Sequence, residues 1–197
     1  KSGTYRLNGH ATKDFYRWCC SWSVNIENPK DLGFNADYYV LPKLIEKNII
    51  IDIDVIDDSF EHGLFRDIGT SATSFHKEKN RTADIRAKKC AEIVMKDDDQ
   101  YLIWCDTNLE ADLLKKYIPK AIEVRGSDKP QRKEQCALDF KQGKTRVLIS
   151  KPKIFGYGMN FQKCHNVIFC GLTYSYENYH QALRRIYRFG QKHTVFS

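Results

Sequence analysis

The sequence predicts an α/β fold, in which a parallel sheet carries helices on both faces and follows a small helical or irregular N-terminal extension. Beyond residue 100, short apolar runs alternate with amphipathic segments at regular spacing. This alternation is typical of crossover units, which build a parallel sheet and cover both of its faces. Turn residues mark helix boundaries as well, since Pro130 stands at a helix start and Gly143 follows its end. A length of 197 residues suits one domain of ordinary size with a small appendage.

Individual elements follow from apolar periodicity and turn residues. The predicted strands span residues 48–55, 101–105, 121–124, 146–150 and 166–170. The predicted helices span residues 14–24, 83–95 with Thr82 as N-cap, 108–117, 131–141 and 176–188. Residues 57–81 are polar and glycine-containing, which predicts irregular or weakly helical structure. We therefore divide the chain into a partly helical extension, residues 1–47, and a lobe, residues 48–197.

Four aromatic side chains lie in the first predicted helix. They are Phe15, Tyr16, Trp18 and Trp22. Their helical spacing favours packing in a core. Exposed aromatic rings also stack on nucleic-acid bases, so base stacking is the alternative interpretation.

The loops that follow the predicted strands should meet at one rim of the sheet. These strands end at Cys105, Val124, Ser150 and Cys170. Open parallel sheets bind ligands outside the carboxyl ends of their strands. The sequence therefore predicts a ligand site at this rim.

Positive charge is concentrated in the second half of the chain. Residues 101–197 carry 17 Lys and Arg against 8 Asp and Glu, whereas residues 1–100 carry 15 against 17. A basic half beside a near-neutral half favours a polyanionic partner such as nucleic acid or a nucleotide. The alternative is that the charge serves solubility alone.

Cysteine usage indicates a reducing, cytoplasmic compartment. The sequence contains seven cysteines, which is an odd number, and no Cys-x-x-Cys pair. Both features argue against a disulfide framework. A metal site at Cys164, His165 and Cys170 would lack a second ligand pair at finger-like spacing, so core packing is favoured and no metal ligands are predicted. No apolar run approaches the ~18 residues of a membrane span.

The segment 181–191, QALRRIYRFGQ, is the strongest functional signal. Arg185 and Arg188 are three residues apart and would share one face of a helix. Guanidinium groups form a rigid, permanently charged fork that suits phosphate, and two of them on one face could grip a triphosphate. For the arginines alone, the alternative is a basic helix lying on solvent or on nucleic acid.

This segment resembles motif VI of superfamily-two helicases, in the Q-A-x-x-R-x-x-R-x-G-Q form of the Swi/Snf-type ATPases. The resemblance implies a RecA-like second lobe in which Arg185 and Arg188 are arginine fingers and Gln181 lies near the nucleotide. Arg184 falls at a variable position and receives no catalytic role. The resemblance covers residues 101–197, and residues 5–56 resemble the region that leads into the second lobe of phage-encoded helicases.

Residues 149–162 resemble helicase motif V, which lies at the lobe interface. The resemblance implies that Gly156, Gly158 and Asn160 bind nucleotide, with Asn160 near the sugar. It also implies that Ser150 and Lys151 face the nucleic-acid backbone. Taken alone, the G-x-G-x-N pattern equally suits an ordinary turn, and the Lys-Pro-Lys insert departs from the commoner threonine-containing form.

Two looser blocks add candidate contacts to nucleic acid. Residues 101–108 resemble motif IV, which implies a contact from Asn108. The strand–glycine–helix block beginning at Val124 adds Arg125 and the basic residues 129–133 as candidate phosphate contacts. The alternative is an ordinary strand, turn and helix cap.

The 197 residues contain no G-x-x-x-x-G-K-[ST] phosphate-binding loop. The resemblance therefore implies half of an ATP site, completed with Mg²⁺ by an N-terminal lobe of the same polypeptide. We expect the motor lobe of an ATP-dependent helicase or translocase acting on nucleic acid, with the Swi/Snf form favouring double-stranded DNA. This chain alone should not hydrolyse ATP. The alternatives are a non-catalytic helicase-like docking module and an unrelated α/β phosphate-binding domain.

Overall fold

The computed structural model describes residues 7–26, 28–51, 72–155, 159–173 and 175–197. Of Tyr38 and residues 72–74 it describes the backbone only. The chain separates into two compact units, residues 1–40 and 41–197. We describe each unit by itself.

The larger unit contains a six-stranded sheet within the described residues, and every strand pairing in it is parallel. The strands are β1 Leu44–Ile45, β2 Tyr101–Trp104, β3 Ile122–Glu123, β4 Val147–Ser150, β5 Asn166–Phe169 and β6 Val195–Phe196. Their order across the sheet is β1-β6-β5-β2-β4-β3. In the central register, Leu102 lies opposite Leu148 on one side and Val167 on the other.

Within the described ranges, six helices accompany this sheet and one belongs to the smaller unit. Their bounds are α1 Thr12–Trp22, α2 Ala72–Arg81, α3 Ala83–Val94, α4 Asn108–Tyr117, α5 Pro130–Gln142, α6 Pro152–Phe155 and α7 Tyr176–Leu183. Among the described residues, no helix combines the length and the apolar character that crossing a membrane requires.

Side-chain alternation along the central strands creates a hydrophobic core on each face of the sheet. On one face, Ile103 and Ile149 pack with Cys90 of α3 and Leu114 of α4. The opposite core contains the following side chains of the sheet, α5 and α7: Leu102, Leu148, Val167, Phe140, Ala182 and Leu183. Each fully buried leucine or isoleucine contributes about 1.5–3 kcal/mol, so these two cores dominate the stability of the unit. The predicted α/β fold with both faces covered is confirmed.

Local signals explain the helix boundaries that flank the rim. Thr107 caps α4 because its hydroxyl accepts the Glu110 N–H at 3.1 Å, while Glu110 Oε2 accepts the Thr107 N–H at 3.1 Å. Pro130 begins α5, and Gly143, in the left-handed region at a φ of 83°, ends it. The predicted cap at Thr82 is wrong, since its side chain accepts no capping bond and instead donates to the Glu78 carbonyl at 2.9 Å.

The first strand of the sheet differs from the prediction of a strand at residues 48–55. The observed edge strand is Leu44–Ile45, because these residues pair with Val195 and Phe196 near the other end of the chain. Residues 48–51 form no strand, and residues 52–55 lie outside the described part. The edge strand also lies before residue 48, within the segment assigned from sequence to the extension. Whether the two segments act as an extension and a lobe stays a prediction.

The smaller unit contains α1 and three short 3₁₀ turns, at Gly9–Ala11, Pro29–Leu32 and Asp37–Tyr39. The prediction that the α1 aromatics pack in a core is wrong for the described structure, since their residues are between 41% and 64% exposed. The rings contact one another, with centroids 6.0 Å apart for Phe15 and Trp18 and 5.3 Å apart for Trp18 and Trp22. Ala36 is the one buried residue among the described side chains of this unit, so its described part offers no second layer to cover the rings.

Candidate functional site

The loops after β2, β3 and β4 surround a cleft of about 330 Å³ at the carboxyl edge of the sheet. Its lining includes Asn108, Arg125, Gly126, Ser127, Ser150 and Lys151. The loop after β5 reaches the same edge, because Lys79 Nζ donates both to Asp106, which follows β2, and to the carbonyl of Leu172, which follows β5. The prediction that four loops meet at one rim is confirmed.

All four predicted nucleic-acid contacts line this cleft, and Asn108, Lys151 and Ser150 differ in exposure. Asn108 is exposed at the first turn of α4, and the N-terminus of a helix favours an anion. Lys151 is half-buried and directly precedes α6, so the Lys-Pro-Lys insert forms the start of a short helix. Ser150 is 1% exposed, and its hydroxyl donates to the Val124 carbonyl at 3.1 Å. A direct phosphate contact does not fit this buried hydroxyl, which instead ties β4 to the end of β3.

Arg125 lies at the rim but is held by two carboxylates. Its guanidinium binds Asp112 and Glu123, with 2.5 Å between Nε and Glu123 Oε1. These two carboxylates, Glu123 first, raise the pKa of Arg125 above its ordinary value. In the same loop, Arg132 binds Asp128, and Lys133 donates to the Gly126 carbonyl at 2.6 Å. Much of the local positive charge is therefore compensated within the chain, and contact with phosphate would require Arg125 to exchange one of its partners.

The arginine segment is less helical than predicted. Helix α7 ends at Leu183, so the expectation that Arg185 and Arg188 share one face of a helix running to residue 188 is wrong. The chain continues in turns, in which the Arg188 N–H donates to the Ile186 carbonyl at 3.1 Å. Both side chains nevertheless converge, because Arg185 Nη1 and Arg188 Nη1 donate to the Met159 carbonyl at 3.2 and 3.4 Å.

The two arginines differ in burial. Arg185 is 7% exposed, and its Nη2 donates to Gln181 Oε1 at 3.1 Å. Arg188 is only half-buried. Gln191 is buried, and its amide bridges the carbonyls of Cys164 at 3.0 Å and Ile186 at 3.3 Å. Arg185 and Gln191 therefore anchor the segment to the lobe, whereas Arg188 is the more accessible guanidinium.

The loop that resembles motif V contacts this segment. Asn160 is half-buried, and its side chain bonds to Gln162 through both the amide and the carbonyl groups at 3.1 Å. The next residue, Phe161, donates its N–H to the Arg185 carbonyl at 2.8 Å. Gly156 and Gly158, predicted to bind nucleotide, lie outside the described residues. The structure thus brings Asn160, Gln181, Arg185 and Arg188 into one neighbourhood.

Sequence reasoning missed a buried ionic cluster at the rim. Glu110 is completely buried and pairs with Arg86 at 2.7 Å, while Lys79 pairs with Asp106 at 2.6 Å. The Thr-x-x-Glu capping box at residues 107–110 was a signal for Glu110. No local pattern marks Lys79 or Arg86, because their partners are distant in the sequence.

The cysteines of the lobe behave as core residues. Cys105, Cys164 and Cys170 are at most 4% exposed. Burial raises the pKa of the Cys105 and Cys164 thiols to about 12. These thiols are therefore protonated at neutral pH, which fits the predicted packing role. Among the described residues, no group of three or more His, Cys, Asp or Glu side chains is placed to hold a metal ion.

The lobe thus combines a parallel sheet with two arginines that converge on the Met159 carbonyl. The chain belongs to the family of helicase conserved C-terminal domains, whose model matches residues 85–190. The match extends from α3 to the end of the arginine segment, and so includes most of the sheet and the whole rim.

Particular relatives include fungal proteins with a shared segment of about 100 residues. The chain is 32% identical over 102 residues to the ATP-dependent RNA helicase FAL1 of Candida albicans, covering 50% of this chain and 25% of that protein. It is 31% identical over 97 residues to the FAL1 of Kluyveromyces lactis, covering 47% of this chain and 24% of that protein. The chain thus spans about a quarter of the length of these relatives. The likeness to phage-encoded helicases stays a prediction.

Solved structures share the fold. The C-terminal part of the Fun30 ATPase domain matches with a TM-score of 0.50 and 23% identity, over 57% of this chain and 38% of that chain. The yeast DEAD-box splicing factor Prp28 matches with a TM-score of 0.50 and 20% identity, over 58% of this chain and 26% of that chain. At these identities the likeness concerns the RecA-like fold alone.

Proposed function

We propose that this chain is the C-terminal motor lobe of an ATP-dependent DNA helicase or translocase. One observation carries the proposal: Arg185 and Arg188 converge on the Met159 carbonyl beside Asn160 and Gln181. The cluster brings cationic and amide groups together where a triphosphate could be gripped. The family membership supports this role.

Arg188 and Arg185 would have different roles at the nucleotide. Arg188 is accessible enough to reach a γ-phosphate presented by another lobe, and would stabilise the charge that develops during transfer. Arg185 would hold the loop at Met159 and orient Gln181, because its bonds already run to these two groups. Asn160 would lie near the sugar of the nucleotide.

The other half of the ATP site would come from an N-terminal RecA-like lobe with the phosphate-binding loop. Magnesium would accompany ATP as a complex with its phosphate oxygens, which are the hard ligands that this ion prefers. Binding of ATP would draw the two lobes together and hydrolysis would release them. This cycle would move nucleic acid along the rim of the sheet.

Nucleic acid would cross the cleft between the loops after β2, β3 and β4. Asn108 at the start of α4 and Lys151 after β4 supply a helix N-terminus and a cation for backbone phosphates. Arg125 would join them by exchanging one carboxylate partner for a phosphate. The Swi/Snf form of the arginine segment favours double-stranded DNA. RNA is the second candidate, because the curated relatives are RNA helicases by name.

The decisive experiment uses the polypeptide in which this lobe is joined to a phosphate-binding lobe. Arg188→Ala should lower kcat for ATP hydrolysis by about 10³-fold or more, with a smaller change in nucleotide affinity, because the lost contact forms mainly in the transition state. Arg184→Ala is the matched control, since Arg184 is exposed and packs on Tyr187, and it should retain near-normal turnover. Comparable turnover in Arg188→Ala would disprove the finger role.

The same ATPase assay separates the candidate partners. Turnover is measured without nucleic acid and with double-stranded DNA, single-stranded DNA and RNA at one salt concentration. Strongest stimulation by duplex DNA is the expected result. Strongest stimulation by RNA would favour the second candidate, and absence of turnover under all conditions would favour a non-catalytic docking module.

A further inference from the structure

A buried carboxylate organises the rim away from the arginine segment. Glu110 is fully buried, and Glu110 Oε2 accepts N–H groups from Asp106 at 2.7 Å and Thr107 at 3.1 Å. Glu110 Oε1 accepts from Arg86 Nη1 at 2.7 Å. One side chain therefore holds the loop after β2 and binds a cation from α3.

Arg86 extends this connection to the loop after β5. The Nη1 that binds Glu110 also donates to the Cys170 carbonyl, and Nη2 donates to the Lys79 carbonyl at 2.5 Å. Arg86 Nε donates to Thr82 Oγ1 at 3.2 Å. This single guanidinium thus connects the α2–α3 junction with two neighbouring loops of the rim.

Lys79 makes a parallel connection from α2. It is 8% exposed, and its Nζ donates to Asp106 Oδ2 and to the Leu172 carbonyl, both at 2.6 Å. The same ammonium lies 4.7 Å from the centre of the Phe75 ring. A buried cation, Lys79, and a partly buried one, Arg86, therefore hold the carbonyls of Leu172 and Cys170, which flank Gly171.

Gly171 passes directly against the Glu110 carboxylate. A Cβ at this position would overlap both carboxylate oxygens, which are pinned by the Arg86 and backbone contacts. A few residues further along the chain, the Ser175 hydroxyl accepts the Asn178 N–H at 3.2 Å and caps α7. Helix α7 contains Gln181 and is followed by the two arginines.

Buried ion pairs are weak evidence for stability, because desolvation of the charges offsets much of their attraction. The clearer consequence of these ion pairs is geometric, since they fix the loop after β5 relative to the loop after β2. We infer that Arg86, Lys79 and Glu110 are positioning residues, which hold residues 170–172 so that α7 and the turns after it present Gln181 and Arg188 to the nucleotide. This inference rests on the proposed function for its effect on catalysis.

Arg146 provides a matched control at the opposite edge of the sheet. Its Nη1 donates to the carbonyls of Val94 at 3.1 Å and Asp97 at 3.0 Å, before the start of β2. Like Arg86, it is a partly buried arginine that binds backbone carbonyls. Loss of Arg146 should affect stability without affecting the rim.

The test measures ATP hydrolysis and thermal unfolding in the polypeptide that joins both lobes. Arg86→Gln should lower kcat between about tenfold and a hundredfold, the range expected when reacting groups are misplaced by about 1 Å, with KM for ATP changing less than about threefold. Lys79→Met, which leaves the Arg86–Glu110 pair intact, should lower kcat in the same direction. Arg146→Gln should keep kcat within about twofold.

The double variant Arg86→Gln with Glu110→Gln separates positioning from stability. It removes the unpaired buried charge that Arg86→Gln alone leaves behind, so the thermal midpoint should recover. Turnover should stay low, because the original guanidinium contact with the Cys170 carbonyl is still missing. Recovery of kcat with the midpoint, or an equal loss of kcat in Arg146→Gln, would overturn the inference.

A second readout is independent of the ATPase. In this chain alone, Arg86→Gln should accelerate amide hydrogen exchange across residues 171–188 and leave β4 unchanged. Unchanged exchange across residues 171–188 would overturn the inference. If the joined polypeptide with native residues hydrolyses no ATP, the proposed function fails, and the positioning of the loop is decided by this exchange experiment.

Discussion

At the scale of single residues, two arginines with the same sequence signature occupy different environments. Arg185 is buried and bonded to Gln181 and the Met159 carbonyl, whereas Arg188 is half-buried and shares that carbonyl at a longer distance. The Arg185 guanidinium is already bonded within the lobe, and it therefore stabilises the structure of the lobe. The more accessible guanidinium is better placed to meet a ligand.

This difference in burial predicts that alanine substitutions of the two arginines lower the free energy of unfolding by unequal amounts. Arg185→Ala should lower the free energy of unfolding of this chain by about 1–3 kcal/mol, because it removes a buried side chain and leaves the half-buried Gln181 Oε1 without the Arg185 donor. Arg188→Ala should cost less than about 1 kcal/mol. Urea denaturation followed by circular dichroism measures both values. Equal losses would contradict the assignment of Arg185 as the structural arginine.

At the scale of elements, α3 and α4 pack side by side on one face of the sheet. Besides their apolar contacts, Tyr117 of α4 donates its hydroxyl to Asp84 of α3 at 2.5 Å. Asp84 also pairs with Lys88 at 2.7 Å. Lys88 first, and then Tyr117, lower the pKa of the Asp84 carboxyl below its ordinary value.

The lowered pKa of Asp84 gives a pH-dependent prediction. A depressed carboxyl pKa contributes stability that is present above the pKa of the unfolded state and is lost as the pH falls through the folded value. Asp84→Asn should therefore lower the urea midpoint at pH 7, and the difference from the native chain should shrink below about pH 4. Tyr117→Phe should reproduce part of the effect at pH 7. A difference that stays constant from pH 7 to pH 3 would refute this account.

At the scale of the whole molecule, the lobe contains a basic half and, by our proposal, one wall of a nucleotide site. The excess of positive charge lies in residues 101–197, which form most of the rim. Compensation of Arg125 by Asp112 and Glu123 shows that local geometry determines which cations face outward. Nucleic-acid affinity should therefore depend on a few residues such as Lys151.

The proposed division of the ATP site between two lobes predicts how this chain hydrolyses ATP and binds DNA in the absence of the other lobe. It should not hydrolyse ATP appreciably, because no phosphate-binding loop occurs in its sequence. It should bind duplex DNA with an affinity that falls linearly with the logarithm of salt concentration, and Lys151→Gln should reduce that slope by about 1. Titrations at several salt concentrations measure the slope. Robust ATP turnover by this chain alone would contradict the proposed division of the site.

Most of the lobe was predictable because its signals are local. The apolar runs at β2, β4 and β5 and the turn residues around α5 identify their elements from neighbouring residues alone. Prediction was wrong where pairing partners are far apart. The edge strand at Leu44–Ile45 exists because it meets Val195 and Phe196, and the α1 aromatics are exposed because no second layer covers them within their unit.

The sequence by itself determined the class of fold and the helicase family, and it predicted a ligand site at the rim. Each of these depends on residue type and spacing along the chain. Only the tertiary structure decided that Arg185 is buried while Arg188 is more accessible, that Ser150 donates to Val124, and that Arg86 and Glu110 hold the loop before α7. The physical reason is that burial and charge pairing depend on contacts between distant residues, which only the folded chain brings together.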